Sequence, residues 1–136
     1  MKFDRLLLMA IIFFLTGCSN SNTDLNNAIT LSRDGLSNIE KSKENGIPDE
    51  EKEKLEKEGR AQINQAFGIY QKLISDHPEN GVYINNYGWL QMRTGDLSGA
   101  DITFKKAEAY RESIKPKDSL DANIKELQNL ISRKKI

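Results

Sequence analysis

The chain has 136 residues, with 20 Lys and Arg balancing 20 Asp and Glu, one His and one Cys. That length allows one small domain and not two. A lone cysteine excludes an intramolecular disulfide, and the balanced charge lacks the basic stripe or patch that a nucleic-acid partner would call for.

Residues 1–18 read as a targeting segment. Lys2 and Arg5 charge its start, diluted by Asp4, and Leu6 to Leu15 is an uninterrupted apolar run. The run is too short to span a bilayer, which takes about 20 apolar residues. Leu15-Thr16-Gly17-Cys18 resembles the lipobox of bacterial lipoproteins: an apolar residue, two small residues and a cysteine. The resemblance implies that residues 1–17 are removed as a signal peptide and that the Cys18 thiol carries a diacylglycerol thioether. An ordinary secretory signal with an incidental cysteine is the alternative. Each buried methylene of an acyl chain adds about 0.8 kcal/mol to membrane residence, so a multiply acylated Cys18 stays anchored. By the same resemblance, Ser19 in place of aspartate favours the outer membrane, with the protein facing the periplasm.

Residues 18–23 then form a polar, lipidated tether, and 24–136 a single helical domain. From Asp24, the residues Leu25, Ile29, Ser32, Leu36 and Ile39 fall at helical intervals to about Lys43, although the Asn-rich start and Gly35 lower helix propensity. This stripe is expected to dock on the rest of the domain, since its polar face has no Lys/Arg cluster to suit a membrane surface. Glu44-Asn45-Gly46 breaks the pattern, and Pro48 opens a new helix whose first turn holds Asp49, Glu50 and Glu51. Glu50/Lys54, Glu53/Lys57 and Glu56/Arg60 are acid-before-base pairs that predict a solvated face and not an acidic docking surface. Gly59 either ends this helix or is tolerated inside a longer one. Beyond it, Ile63, Ala66, Phe67, Tyr70, Leu73 and Ile74 make a strong apolar face up to a turn at 75–80.

Asn80 is placed to cap the next helix and Gly95 to end it, while Asp96 can accept from the N–H of Gly99 at the start of another. Leu97, Ala100, Phe104 and Ala107 form the inner stripe of that second helix, facing Ile84, Tyr87 and Gly88 of the first. Helices are expected over 82–94 and 97–112. After Pro116, Asp118 or Ser119 can cap a last helix with Leu120, Ile124, Leu127 and Ile131 on one stripe and Leu130 beside it. Arg133-Lys134-Lys135 is a basic end that suits a helix C-terminus.

Ala66, Tyr70 and Lys72 recur as Ala100, Phe104 and Lys106, each 34 residues on. A period of that length with two helices per unit is a repeat signature. Here the chain resembles the tetratricopeptide repeat (TPR) family. Tyr87-Gly88, Gly95-Asp96, Ala100, Phe104 and Ala107 carry the resemblance in one full unit, and Ala66, Tyr70 and Pro78 in the preceding half-unit. It covers residues 48–132. Gln91 stands where the family usually has an aromatic, and Glu112 where it usually has proline. The expected fold is all-α: antiparallel hairpins of TPR type, about one and a half to two repeats, with an N-terminal helix and a C-terminal capping helix. An unrelated antiparallel helical bundle would account for the same stripes.

In the TPR family the first helix of each hairpin lines the concave side of the stack. The resemblance therefore implies a peptide-binding groove that receives Asn85, Trp89, Met92 and Arg93, with Asn86 near its edge. The residue types suit peptide capture. Amides pair with a peptide backbone, tryptophan and methionine anchor apolar groups, and arginine holds a carboxylate. Trp89 alternatively packs under the 24–43 helix or against the last one. Catalytic signals are missing: His77 lies in a turn before Pro78, no second histidine exists, and no nucleophile elbow or glycine-rich phosphate loop occurs. The expectation is a non-enzymatic lipoprotein without cofactor that binds an envelope protein or peptide as an adaptor or assembly factor. The alternative is a structural or protective lipoprotein, such as an immunity protein or a constitutive subunit of an envelope complex.

Overall fold

A computed structural model describes residues 20–116 and 118–134, so the expected signal segment, Cys18 and Lys135 lie outside the described residues. The described chain is all helical. Helix α1 spans Ser21–Lys41, α2 Asp49–Asp76, α3 Gly81–Arg93, α4 Leu97–Glu108 and α5 Asp118–Lys134, with a 3-10 turn at Arg111–Ser113. Two hairpins, α1/α2 and α3/α4, pack side by side through α2 and α3, and α5 closes the open side of α4.

Helix α1 begins three residues before Asp24, because Asn20 takes the capping position and accepts from the Asn22 N–H at 3.3 Å. Ser21, Asn22 and Thr23, expected to precede the helix, therefore form its first turn. The apolar stripe of α1 docks on α2, as expected of a face without a basic cluster. At the crossing the two backbones touch: a Cβ on Gly35 would lie 2.7 Å from the Gly59 carbonyl oxygen, and one on Gly59 2.6 Å from that of Gly35. This contact decides between the two roles open to Gly59. Helix α2 runs unbroken for 28 residues because the glycine is needed for proximity, not for a break. Beside the crossing, Asn38 Nδ2 donates to Gln62 Oε1 at 2.9 Å, and Ser32, fully buried, donates to the Ala28 carbonyl. On the outer face Glu56 pairs with Arg60 at 2.6 Å, whereas Lys54 turns to Glu58 instead of Glu50. Such exposed pairs contribute little to stability.

Asn80 caps α3 by accepting from the N–H groups of Val82 and Tyr83. Gly95 takes a left-handed φ of 92°, and Asp96 accepts from the Gly99 N–H at 3.0 Å, so the α3/α4 turn is the one the residues specify. Gln91 fastens that turn: its amide donates to Asp96 Oδ2 at 3.1 Å and accepts from Thr103 at 2.6 Å. Helix α4 stops at Glu108 and not at 112. The chain tightens there into the 3-10 turn, whose Ser113 hydroxyl accepts from the Gly81 N–H at 2.8 Å and ties the end of the hairpin to its beginning. Ile114 is then buried. Helix α5 starts at Asp118, which puts Ser119 inside its first turn.

Two apolar clusters result. One gathers Ala28, Ile63, Ala66, Tyr70, Leu73, Tyr83 and Leu90 between α1, α2 and α3. The other gathers Ile84, Met92, Ala100, Phe104, Ala107, Ile114, Leu120 and Leu127 between α3, α4 and α5. Ile74 and Trp89 pack against both. Tyr87, expected inside the second hairpin, instead meets Phe67 edge-on at 5.4 Å and serves the junction between hairpins.

Candidate functional site

Helix α3 is the third wall of a cleft of about 460 Å³. Helix α1 contributes Ile29 and Arg33, one turn apart on its edge. From α2 comes Tyr70, and from α3 come Val82, Asn85, Asn86 and Trp89. The segment Ile114–Pro116 and the α5 residues Ser119 and Asn123 close the far side. The 3-10 turn and the segment after it carry the chain from α4 to α5 and place Ile114, Lys115 and Pro116 at the cleft.

The polar groups are held in order. Asn123 Nδ2 donates to Asn85 Oδ1 at 3.0 Å, and Asn85 Nδ2 donates to Ser119 Oγ at 3.4 Å, so Asn85 bridges α3 to α5. Asn86 donates back to the Val82 carbonyl at 2.8 Å, which fixes the plane of its amide at the cleft wall. A side chain tied in this way loses little further freedom when a ligand arrives. Burial pushes the Tyr70 phenol above its usual range, while a hydrogen bond with Ser32 and the nearby Arg33 charge act the other way. The phenol is therefore neutral at physiological pH, a donor and acceptor in the cleft floor.

Of the five residues expected in a groove, the fold brings three together. Asn85, Asn86 and Trp89 line the cleft, Trp89 half-buried and Asn85 only 6 % exposed. Met92 does not reach it. Helix α5 crosses the last turn of α3, and Met92, 2 % exposed, joins the cluster beneath it with Leu120 and Leu127. Arg93, one residue on, lies at a different cleft, between Phe67 of α2 and Leu36 and Ile39 of α1, and pairs with Glu126 of α5 at 3.4 Å. Helical spacing put residues 85, 89 and 92 on one face correctly. It could not show that α5 covers the end of that face.

Arg33, Tyr70, Lys115, Ser119 and Asn123 were not expected at the site from the sequence. A signal for the last was present: Asn123 falls within the Leu120, Ile124, Leu127 stripe, and an amide on a buried stripe requires a partner. Arg33 and Lys115 had no such marker. His77 lies exposed at the C-cap of α2, its ring 5.9 Å from that of Tyr83. Among the described residues no group of three or more His, Cys, Asp or Glu is gathered as for a metal ion, and no helix is long and apolar enough to cross a membrane. Comparison of the chain with protein-family models, with curated proteins and with solved structures found no match.

Proposed function

We propose that this chain is a lipid-anchored protein of the cell envelope, built from TPR-type hairpins, that holds a peptide segment of a partner protein in the cleft beside α3. The observation that carries the reading is the convergence of Asn85, Asn86 and Trp89 on a concave site assembled from α1, α2, α3, α5 and the segment before α5. Fixed amides suit the backbone of an extended peptide, and a half-buried tryptophan suits one apolar side chain. The TPR assignment draws on the recurrence of Ala66 and Tyr70 as Ala100 and Phe104, each buried in the second helix of its hairpin. An adaptor or assembly factor needs little more than such a cleft and an anchor. For the structural or protective alternative, the cleft would be filled by a constant partner or be a seam of the core.

Trp89, the single tryptophan, reports on the difference. In the full chain purified in non-ionic detergent, its emission is expected to be red-shifted and open to a soluble quencher. The emission should turn blue when the partner is added, and Trp89→Ala should weaken partner capture. Blue, protected emission, with Trp89→Ala lowering the melting temperature but leaving capture intact, makes Trp89 core and removes the cleft from the proposal.

The anchor is tested separately. Cys18→Ser is expected to abolish incorporation of labelled fatty acid and to leave an uncleaved or released precursor. Undiminished labelling and membrane residence in that variant would remove the lipoprotein part.

A further inference from the structure

We infer that the cleft selects an acidic peptide, with Asp or Glu side chains engaging Arg33 and Lys115 while a neighbouring apolar residue packs on Trp89. The inference rests on the peptide-binding reading above and adds the charge of the ligand. Every described residue lining the cleft is neutral or cationic. Its two cations come from opposite sides, Arg33 from α1 and Lys115 from the segment before α5, with α3 packed against both parts of the chain. Neither is ion-paired with a carboxylate among the described residues. Elsewhere Arg60, Lys72, Arg93, Lys105 and Arg111 are paired, whereas Lys57 and Lys125, like Arg33 and Lys115, are in no ion pair among the described residues; what marks Arg33 and Lys115 is that they share one cleft. In a chain whose acids and bases balance, a concave site holding two such cations and no described acid is a local positive field.

The ligand chemistry follows from what would happen to those charges on occupancy. A neutral occupant would strip water from Arg33 and Lys115 and return nothing. A carboxylate side chain would take two parallel N–H bonds from the Arg33 guanidinium, and another would meet Lys115 as a point charge. The amides of Asn85, Asn86 and Asn123 remain for the backbone between them. A membrane surface is the weaker fit, because anionic lipid is recognised by clusters of about 4–8 basic residues and this site has two inside a concavity.

Capped nonapeptides, acetylated and amidated so that they carry no terminal charge, provide the test. Their central leucine is flanked by Glu, Gln or Lys, and binding to the full chain in non-ionic detergent is read by Trp89 emission. The Glu peptide should bind about tenfold tighter than the Gln peptide, and the advantage should vanish at 1 M salt, where the screening length is about 3 Å. Arg33 and Lys115 are exposed, so the double variant Arg33→Glu/Lys115→Glu should melt like wild type and prefer the Lys peptide. Equal binding of Glu and Gln peptides, with Trp89 responding to both, overturns the charge selection and leaves the peptide site standing. No response to any peptide overturns both. Binding confined to a Gln peptide with a free C-terminus would transfer the preference to a terminal carboxylate. Binding to phosphatidylglycerol vesicles with no preference among peptides would assign the cations to a membrane surface. Either of those two results overturns the inference.

Discussion

Phe104→Ala is expected to lower stability by about 3–5 kcal/mol, the range for removing a buried aromatic ring. Phe104 is 1 % exposed and lies where α3 and α4 press together. Opposite it stands Gly88, where an added Cβ would sit 2.8 Å from the ring's Cε1. The site cannot collapse cheaply once the ring is gone, because its partner has no side chain to move inward and the remaining wall includes the small residues Ala100 and Ala107. Small domains have about 5–15 kcal/mol in total, so the loss is a large share of the stability and should appear as a strongly lowered melting temperature. Urea and thermal denaturation followed by circular dichroism measure this. A variant that melts like wild type would mean that Phe104 is not the wedge of the second hairpin.

The same chemical change, glycine to alanine, is expected to have opposite signs at two places on one helix. Gly68→Ala meets nothing within 4 Å and should stabilise by about 0.5–1 kcal/mol, the ordinary gain from removing a helical glycine. Gly59→Ala gains the same propensity but places a methyl 2.6 Å from the Gly35 carbonyl oxygen and 2.9 Å from Ile39 Cγ1. A side-chain tip can rotate away; a helix carbonyl cannot. The helices must part, loosening Ile63 nearby, and overpacking of this kind costs about 1–3 kcal/mol. The net expectation is a lower melting temperature for Gly59→Ala and a higher one for Gly68→Ala. If both rise equally, α1 and α2 do not touch at this crossing.

The residues that wrote the fold most clearly were those whose local chemistry and tertiary role agree. Asn80, Gly95 and Asp96 specify caps and a turn by backbone needs alone, and they occupy those positions. Stripes such as Ala66, Tyr70, Leu73 and Ala100, Phe104, Ala107 are buried as their spacing requires. Gly59 was ambiguous because a helix-breaking residue and a close-approach residue are the same residue; only the position of Gly35 across from it decides. The cleft was legible in part. Its α3 face follows from helical periodicity, but its other walls come from residues far apart in sequence, and no local pattern announces that Arg33 and Lys115 will share a cavity. Met92 and Arg93 were misplaced for the complementary reason: α5 covers the last turn of α3, and a period says which face a residue is on, not what will lie over it.

Ile74 and Trp89 pack against both apolar clusters, so the two hairpins have no separate interiors. In a long repeat array each unit exchanges energy only with its neighbours and can fray on its own. Here the pair is expected to unfold as one cooperative unit, because opening either hairpin strips contacts from the other through these shared side chains. Trp89 is also a wall of the cleft. A ligand seated on it would brace both halves at once, and its binding energy would appear as resistance of the whole chain to unfolding.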